Sequence, residues 1–266
     1  MRVFRSEWIK LSRRATLLGF GGAIVGFAAL ITVLMFLGAG GTDIGTDEGR
    51  GPGALASAAT LSLTDGSVFA VTRVATFLTI IALALFASNL AGEFSKGTIR
   101  MLFVTEPRRI KALAGKLAAL ASFAAAWVAV AVGVSIALGA VLASSAGVDT
   151  TSWWTAEGFA AMAGAYASLT GAMIAAGLIG AALAVLTRSS AISISVGAAY
   201  LMIVEPLVGT FWETLGEWGP AAAFGALADG GTTSIGYSVA VALTIAYGLV
   251  GLVISSGVIS RRDVTS

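Results

Sequence analysis

The sequence predicts an all-α polytopic membrane protein with six transmembrane helices, and three observations carry that expectation. Hydrophobic residues make up 57% of the 266 and charged residues only 11%, whereas a soluble domain carries about a quarter charged residues. So much apolar surface cannot be hidden in one globular core, and its solvent must be lipid. Six apolar runs, at about 15–38, 68–91, 112–143, 158–187, 190–210 and 236–259, reach the roughly 20 residues that a helix needs to cross a bilayer. Basic residues gather on one side of these runs: five precede the first, six lie in 92–116, and Arg188, Arg261 and Arg262 follow. The other side holds only Arg50 and Arg73. Lys and Arg mark the cytoplasmic side of short loops, so both termini are expected in the cytoplasm. The chain reads as a single transmembrane domain over 1–266, multi-pass in the cell (plasma) membrane.

Residues 2–14 open the chain as an interfacial helix. Phe4, Trp8, Leu11 and Ala15 follow at helical spacing, with Arg5, Lys10, Arg13 and Arg14 largely off that stripe. Such a helix lies flat on a membrane with its Trp at headgroup depth. The run from Ala15 to about Leu37 outlasts the 7–15 residues of a signal-peptide core and reads as an uncleaved first span. The third and fourth runs are longer than a crossing needs and would tilt or protrude. Thr187 to Ser190 alone separate the fourth and fifth runs, which predicts a tight hairpin; one continuous helix would leave Arg188 in lipid.

Two long segments face the other side. The first, about 39–67, is rich in Gly and Ser and clusters Asp43, Asp47 and Glu48. It reads as a solvated loop or as a weak cation site, although its spacing matches no ligand template. The second, about 206–235, is aromatic, with Phe211, Trp212, Trp218 and Phe224, and Pro220 opens a stretch of small residues. Short outer or re-entrant helices are expected there. Glu213, Glu217, Gly219 and Pro220 interrupt it too often for a seventh span.

The longest polar interval on the basic side, Gly92 to Lys116, reads GEFSKGTIRMLFVTEPRRIKALAGK. Phe94, Thr98, Met101 and Leu102 share one helical face, and Glu93, Lys96 and Arg100 a neighbouring one. Pro107 ends the pattern. A short amphipathic helix over 93–106 serves either as a grip for a soluble partner or as a basic loop that only sets topology. Its start mimics a phosphate-binding loop, but Gly97 is followed by Thr98 and Ile99 instead of Lys and then Ser or Thr, and a membrane helix precedes it. The chain therefore shows no energy source of its own.

The sequence contains no Cys and no His. That removes disulfide and thiolate chemistry, the usual general base and the commonest metal ligand. No catalytic site, metal or cofactor is expected on this chain. The basic residues flank apolar spans and form no separate basic domain, which argues against nucleic-acid binding.

Isolated polar residues remain as candidates. Glu205, before Pro206 near the end of the fifth span, is a proton or substrate site by default, or else a capping carboxylate. Asn89, at the inner end of the second span, is expected to hydrogen-bond to a neighbouring helix or to cap one. Arg73 is expected to pair with an outer acid. Gly22 and Gly26 form GxxxG in the first span, and Gly164, Gly171, Gly177 and Gly180 crowd the fourth. They would let backbones approach closely, within the chain or at a subunit interface. No internal or inverted repeat is found, which weakens a secondary-transporter reading.

Three features in order resemble the membrane subunit of an ATP-binding cassette type-2 permease. SEWIKLSRR (Ser6 to Arg14) is similar to the family's cytoplasmic elbow. GEFSKGTIR followed by PRRIKALAGK is similar to its E-x-x-x-G-T-[IL] signature and the basic segment after it, with Glu93, Gly97, Thr98, Ile99, Arg109 and Lys116 matching. EPL at Glu205 to Leu207 followed by GPAAAFGAL is similar to its outer helices. The long Gly-rich segment 39–67 departs from the pattern. The resemblance implies a permease that pairs with a second permease copy, as a homodimer or heterodimer, and with two cytoplasmic ATP-binding subunits that carry the ATP and Mg. The helix at 93–106 would be the coupling helix, with Glu93, Phe94, Lys96, Gly97, Thr98 and Arg100 as its coupling residues. Glu93 and Arg100 would meet the ATPase, and Phe94, Met101 and Leu102 would pack on the permease. A drug, antimicrobial peptide or lipid would leave the cell along a cavity lined by spans one, two and five. The alternative is an ion- or proton-coupled carrier or channel with Glu205 as its ionisable element.

Overall fold

Six helices long and apolar enough to cross a membrane form the body of the computed structural model, which describes residues 2–39, 56–95 and 109–261. The chain is all-α among these residues: no strand forms, and one isolated bridge joins Gly231 and Gly236. The spans are α2 (Arg14–Ala39), α5 (Ala75–Ser95), α6 (Arg109–Leu142), α7 (Ala156–Thr187), α8 (Ser190–Gly209) and α11 (Tyr237–Arg261). Six crossings return the C-terminal end of α11 to the end of the bundle that carries α1 (Arg2–Leu11). The opposite end carries the short helices α3 (Ala58–Leu61), α4 (Gly66–Arg73), α9 (Glu213–Trp218) and α10 (Pro220–Ala228).

Several boundaries differ from the sequence reading. The N-terminal helix expected over 2–14 stops at Leu11, and Arg14 already belongs to the first span. Its apolar stripe also packs on protein: Phe4 stacks on Trp8, Trp8 meets Phe123 of α6 edge-on, and Leu11 is fully buried. The second run, expected over 68–91, divides at Val74, which leaves helical geometry at φ −95° and ψ 10° between α4 and α5. The segment expected as a loop over 39–67 contains α3, capped by Ser57, whose hydroxyl accepts from Thr60 N at 3.1 Å. The coupling helix expected over 93–106 has no separate start, because α5 continues through Glu93 to Ser95. Its remainder, and the Asp43, Asp47 and Glu48 cluster, lie outside the described residues.

The fourth and fifth spans meet in the expected hairpin. Arg188 takes the left-handed conformation (φ 55°) that ends a helix. Ser189 then caps α8 by accepting from Ile192 N at 3.4 Å, and Thr187 Oγ1 lies 2.7 Å from Ser193 Oγ across the turn.

α5 and α7 form the centre and are the most buried of the six spans. Glycine brings them together: a Cβ on Gly180 would stand 2.4 Å from the Leu83 carbonyl oxygen. Only a residue without a side chain permits that approach. Gly22 and Gly26 behave otherwise. They face outward with nothing within 4 Å, so packing within the chain does not explain that GxxxG. Thr32 of α2 and Ser135 of α6 share a hydrogen bond at 2.9 Å, both fully buried. At the end remote from α1, the buried Trp153 donates from Nε1 to Leu61 O at 2.9 Å and ties the turn before α7 to α3.

Candidate functional site

The densest charge chemistry lies where α1, the end of α5 and the start of α6 converge. Each element contributes a charge from its apolar face. Glu7 sits on α1 between Phe4 and Leu11 in the packed stripe, Glu93 is one turn beyond Leu90 on α5, and Lys116 lies one turn from both Leu113 and Leu120 on α6. Lys116, with only 2% of its side chain exposed, donates from Nζ to Glu93 Oε1 at 2.7 Å and to Glu7 Oε2 at 3.0 Å. Lys10 reaches the same acids from the rim, with Nζ 2.5 Å from Glu7 Oε1 and 3.5 Å from Glu93 Oε1. Among the described residues, two cations thus neutralise two carboxylates. Glu93 Oε2 is buried without a hydrogen-bond partner among the described residues.

The protonation of the cluster follows from its geometry. Burial disfavours the Glu7 carboxylate, but attraction to Lys116 and hydrogen bonds from Lys10 and Lys116 outweigh it and hold the carboxyl below its ordinary value. Burial also opposes the Lys10 charge, and the bonds and charges of Glu7 and Glu93 outweigh that and raise it. Both groups are therefore ionised at neutral pH. Removing one member would leave a buried charge without compensation, which is the costly case for buried ion pairs.

The expected site residues divide. Glu93 is 8% exposed and bonded inside the chain, so its carboxylate does not face solvent as a partner contact would. Phe94 is partly buried against the main core, as a residue that packs on its own chain would be. Lys96, Gly97, Thr98 and Arg100 lie outside the described residues. Asn89, expected to hydrogen-bond to a neighbouring helix or to cap one, has a buried side-chain oxygen without a hydrogen-bond partner among the described residues.

Glu205 is a cap. α8 passes through a π-helical turn at Tyr200–Val204 just before it, where Pro206 has no N–H to donate. The carboxylate, 2% exposed, then accepts from Ala221 N at 3.0 Å and Ala222 N at 2.9 Å. Those are the free donors at the start of α10, whose own cap residue, Gly219, offers no side chain. Arg73 finds its outer acid in Asp229, at 3.2 Å, and lies over the Phe69 ring at 4.6 Å. Among the described residues, no group of three or more acidic, His or Cys side chains is placed to hold a metal.

Sequence reasoning passed over Glu7 and Lys10. The signal was present as an acid on the apolar face of an otherwise basic helix, and as Lys116 on the buried face of α6. A lone charge at such a position has to find its counter-ion inside the protein.

Fold and site together define a polytopic helical membrane protein whose N-terminal helix is locked by charge to the base of two spans. The chain belongs to the family described as "Protein of unknown function (DUF2705)", whose profile matches residues 55–265. No curated protein matches the sequence.

Proposed function

We propose that the chain is the permease subunit of an ATP-driven exporter in the cell membrane, with both termini cytoplasmic. It would act as a dimer with two separate ATP-binding subunits, which hold the ATP and Mg. Its cargo would be a hydrophobic or amphipathic molecule: a drug, an antimicrobial peptide or a lipid. The observation that carries this reading is the ion cluster at the base of the bundle. The segment between Ser95 and Arg109 leaves and re-enters the membrane domain at helices that Glu93 and Lys116 bind together, and Glu7 binds the same junction to α1. A push on that segment by a soluble partner would move α1, α5 and α6 as one body.

The roles carried over from the family resemblance are redistributed accordingly. Glu93 acts as a positioning residue for the coupling segment, and Lys96 and Arg100 are left as its polar contacts to the ATPase. Glu205, the ionisable group on which a proton-coupled carrier would depend, is committed to a helix N-terminus, and this counts against that alternative.

The test is reconstitution of the chain with its ATP-binding partner in lipid vesicles. Arg100→Glu is expected to abolish substrate-stimulated ATPase activity while leaving membrane insertion intact. Undiminished stimulation would remove the coupling role from this segment.

A further inference from the structure

A polar cavity of about 240 Å³ lies between α4, α7 and the turn that joins α10 to α11, at the end of the bundle remote from α1. Its walls give its depth. They run from Ala161 to Ser168 on α7 and from Asp65 to Arg73 along α4, about 10–12 Å in each case at 1.5 Å per residue. Asp65 is exposed at one end, whereas Ser168 at the other is 5% exposed. Gly164 keeps the middle open, since a Cβ there would meet nothing within 4 Å.

Two charged groups in this one wall have bonding capacity left. Among the described residues, Arg73 spends one N–H, donated from Nη1 to Asp229 Oδ2 at 3.2 Å, of the five that a guanidinium carries. The guanidinium lies over the Phe69 ring, 4.6 Å from its centre, and so sits about one turn nearer to Asp65 than the Arg73 backbone does. Asp65 precedes α4 without capping it through its side chain. Its carboxylate joins none of the ion pairs among the described residues.

The spacing of these two groups selects a ligand. Asp65 and Phe69 are about 6 Å apart along the helix. An ammonium and a carboxylate on one carbon, each with a hydrogen bond on its outer side, span roughly 6–8 Å. Arg73 and Asp229 neutralise each other, so a ligand with a carboxylate alone would meet a net negative wall. A ligand with an ammonium alone would leave the guanidinium donors unused. Size narrows the choice further. A cavity of about 150 Å³ accepts benzene, and one water occupies about 30 Å³ of liquid. The cavity therefore holds a benzene-sized group and both charged groups, with Val68, Ala165 and Ala228 as apolar wall.

We propose that this cavity binds one α-amino acid as its zwitterion, with an apolar side chain no larger than that of phenylalanine. The carboxylate accepts from Arg73, the ammonium donates to Asp65, and the side chain lies against Val68, Ala165 and Ala228. The bound molecule ties α4 to α7. The site stands apart from the coupling segment and does not depend on the transport reading.

The test is equilibrium binding of radiolabelled phenylalanine to the full chain in lipid nanodiscs. The competitors are phenethylamine, which lacks the carboxylate, and hydrocinnamate, which lacks the ammonium. The wild-type chain is expected to bind one phenylalanine saturably and each competitor at least tenfold more weakly. Asp65→Asn, which keeps the side-chain shape, and Gly164→Leu, which fills the cavity, are expected to weaken binding at least tenfold. Both leave the Arg73–Asp229 pair in place. A wild-type chain without saturable binding at millimolar phenylalanine, or a Gly164→Leu chain that binds as the wild type does, would overturn the site. A competitor that binds as tightly as phenylalanine, or unchanged affinity in Asp65→Asn, would overturn the zwitterion assignment.

Discussion

Replacing Lys116 with Met probes the base of the bundle most sharply. Met preserves the length and apolar stem of the side chain and removes its charge. Glu7 and Glu93 then remain buried around an apolar side chain, deprived of contacts at 3.0 and 2.7 Å, with Lys10 at the rim as the remaining cation among the described residues. Removing one partner of a buried ion pair costs about 3–5 kcal/mol. For a chain of this size that corresponds to a fall in melting temperature on the order of 10 °C. The assay is thermal unfolding in mild detergent, followed by loss of helical circular dichroism. The triple variant Lys116→Met, Glu7→Gln, Glu93→Gln removes the orphaned charges as well, and most of the loss should be recovered, because an ion cluster replaced as a whole by neutral groups is often tolerated. A Lys116→Met chain that melts with the wild type, or a triple variant no better than the single one, would refute the reasoning.

Three further outcomes follow from the same geometry. Glu7 ionises below its ordinary 4.5, so its contribution to stability is complete above pH 4.5 and is lost as pH falls through the lowered value. Lys10 keeps its proton above its ordinary 10.5, so its contribution is complete below pH 10.5 and is lost as pH rises beyond it. Melting curves of wild type and Glu7→Gln should therefore differ by a constant amount between about pH 5 and 10 and converge in acid. Glu205→Ala leaves two N–H groups of α10 without acceptors and should cost about 2–3 kcal/mol, with Glu205→Gln losing roughly half of that; a Glu205→Gln chain of unchanged stability but shifted transport pH profile would make the residue a proton site instead. Gly180→Ala forces a methyl group to within 2.4 Å of the Leu83 carbonyl and should destabilise by about 1–3 kcal/mol, measured by the same melting assay.

The spans were legible because their signal is local: twenty apolar residues in a row need lipid wherever they lie in the chain. Turns written in a few residues were legible for the same reason, as at Thr187 to Ser190. The ion cluster was harder to see because it joins residues 7, 10, 93 and 116 from three separate elements. Lys10 and Glu93 read locally as topology or as a solvated face, and although Glu7 falls on the apolar stripe of α1, only packing reveals that Lys116 meets it there. Glu205 was legible as an intramembrane acid, but not in its role, since the donors it serves lie 16 and 17 residues further on. Gly22 and Gly180 look alike in sequence, yet one faces outward and the other seats a neighbouring backbone. The pattern of small residues cannot say which face finds a partner.

The central claim is that work done by another polypeptide enters this chain at the segment between α5 and α6. The most direct measurement is purification of the chain from its native membranes in mild detergent, with quantitative identification of what comes with it. The claim predicts a P-loop ATP-binding chain in equimolar amount, lost when Arg100→Glu is introduced while the chain itself still inserts and melts normally. A chain that purifies without any ATP-binding partner, and transports when reconstituted alone, would contradict it.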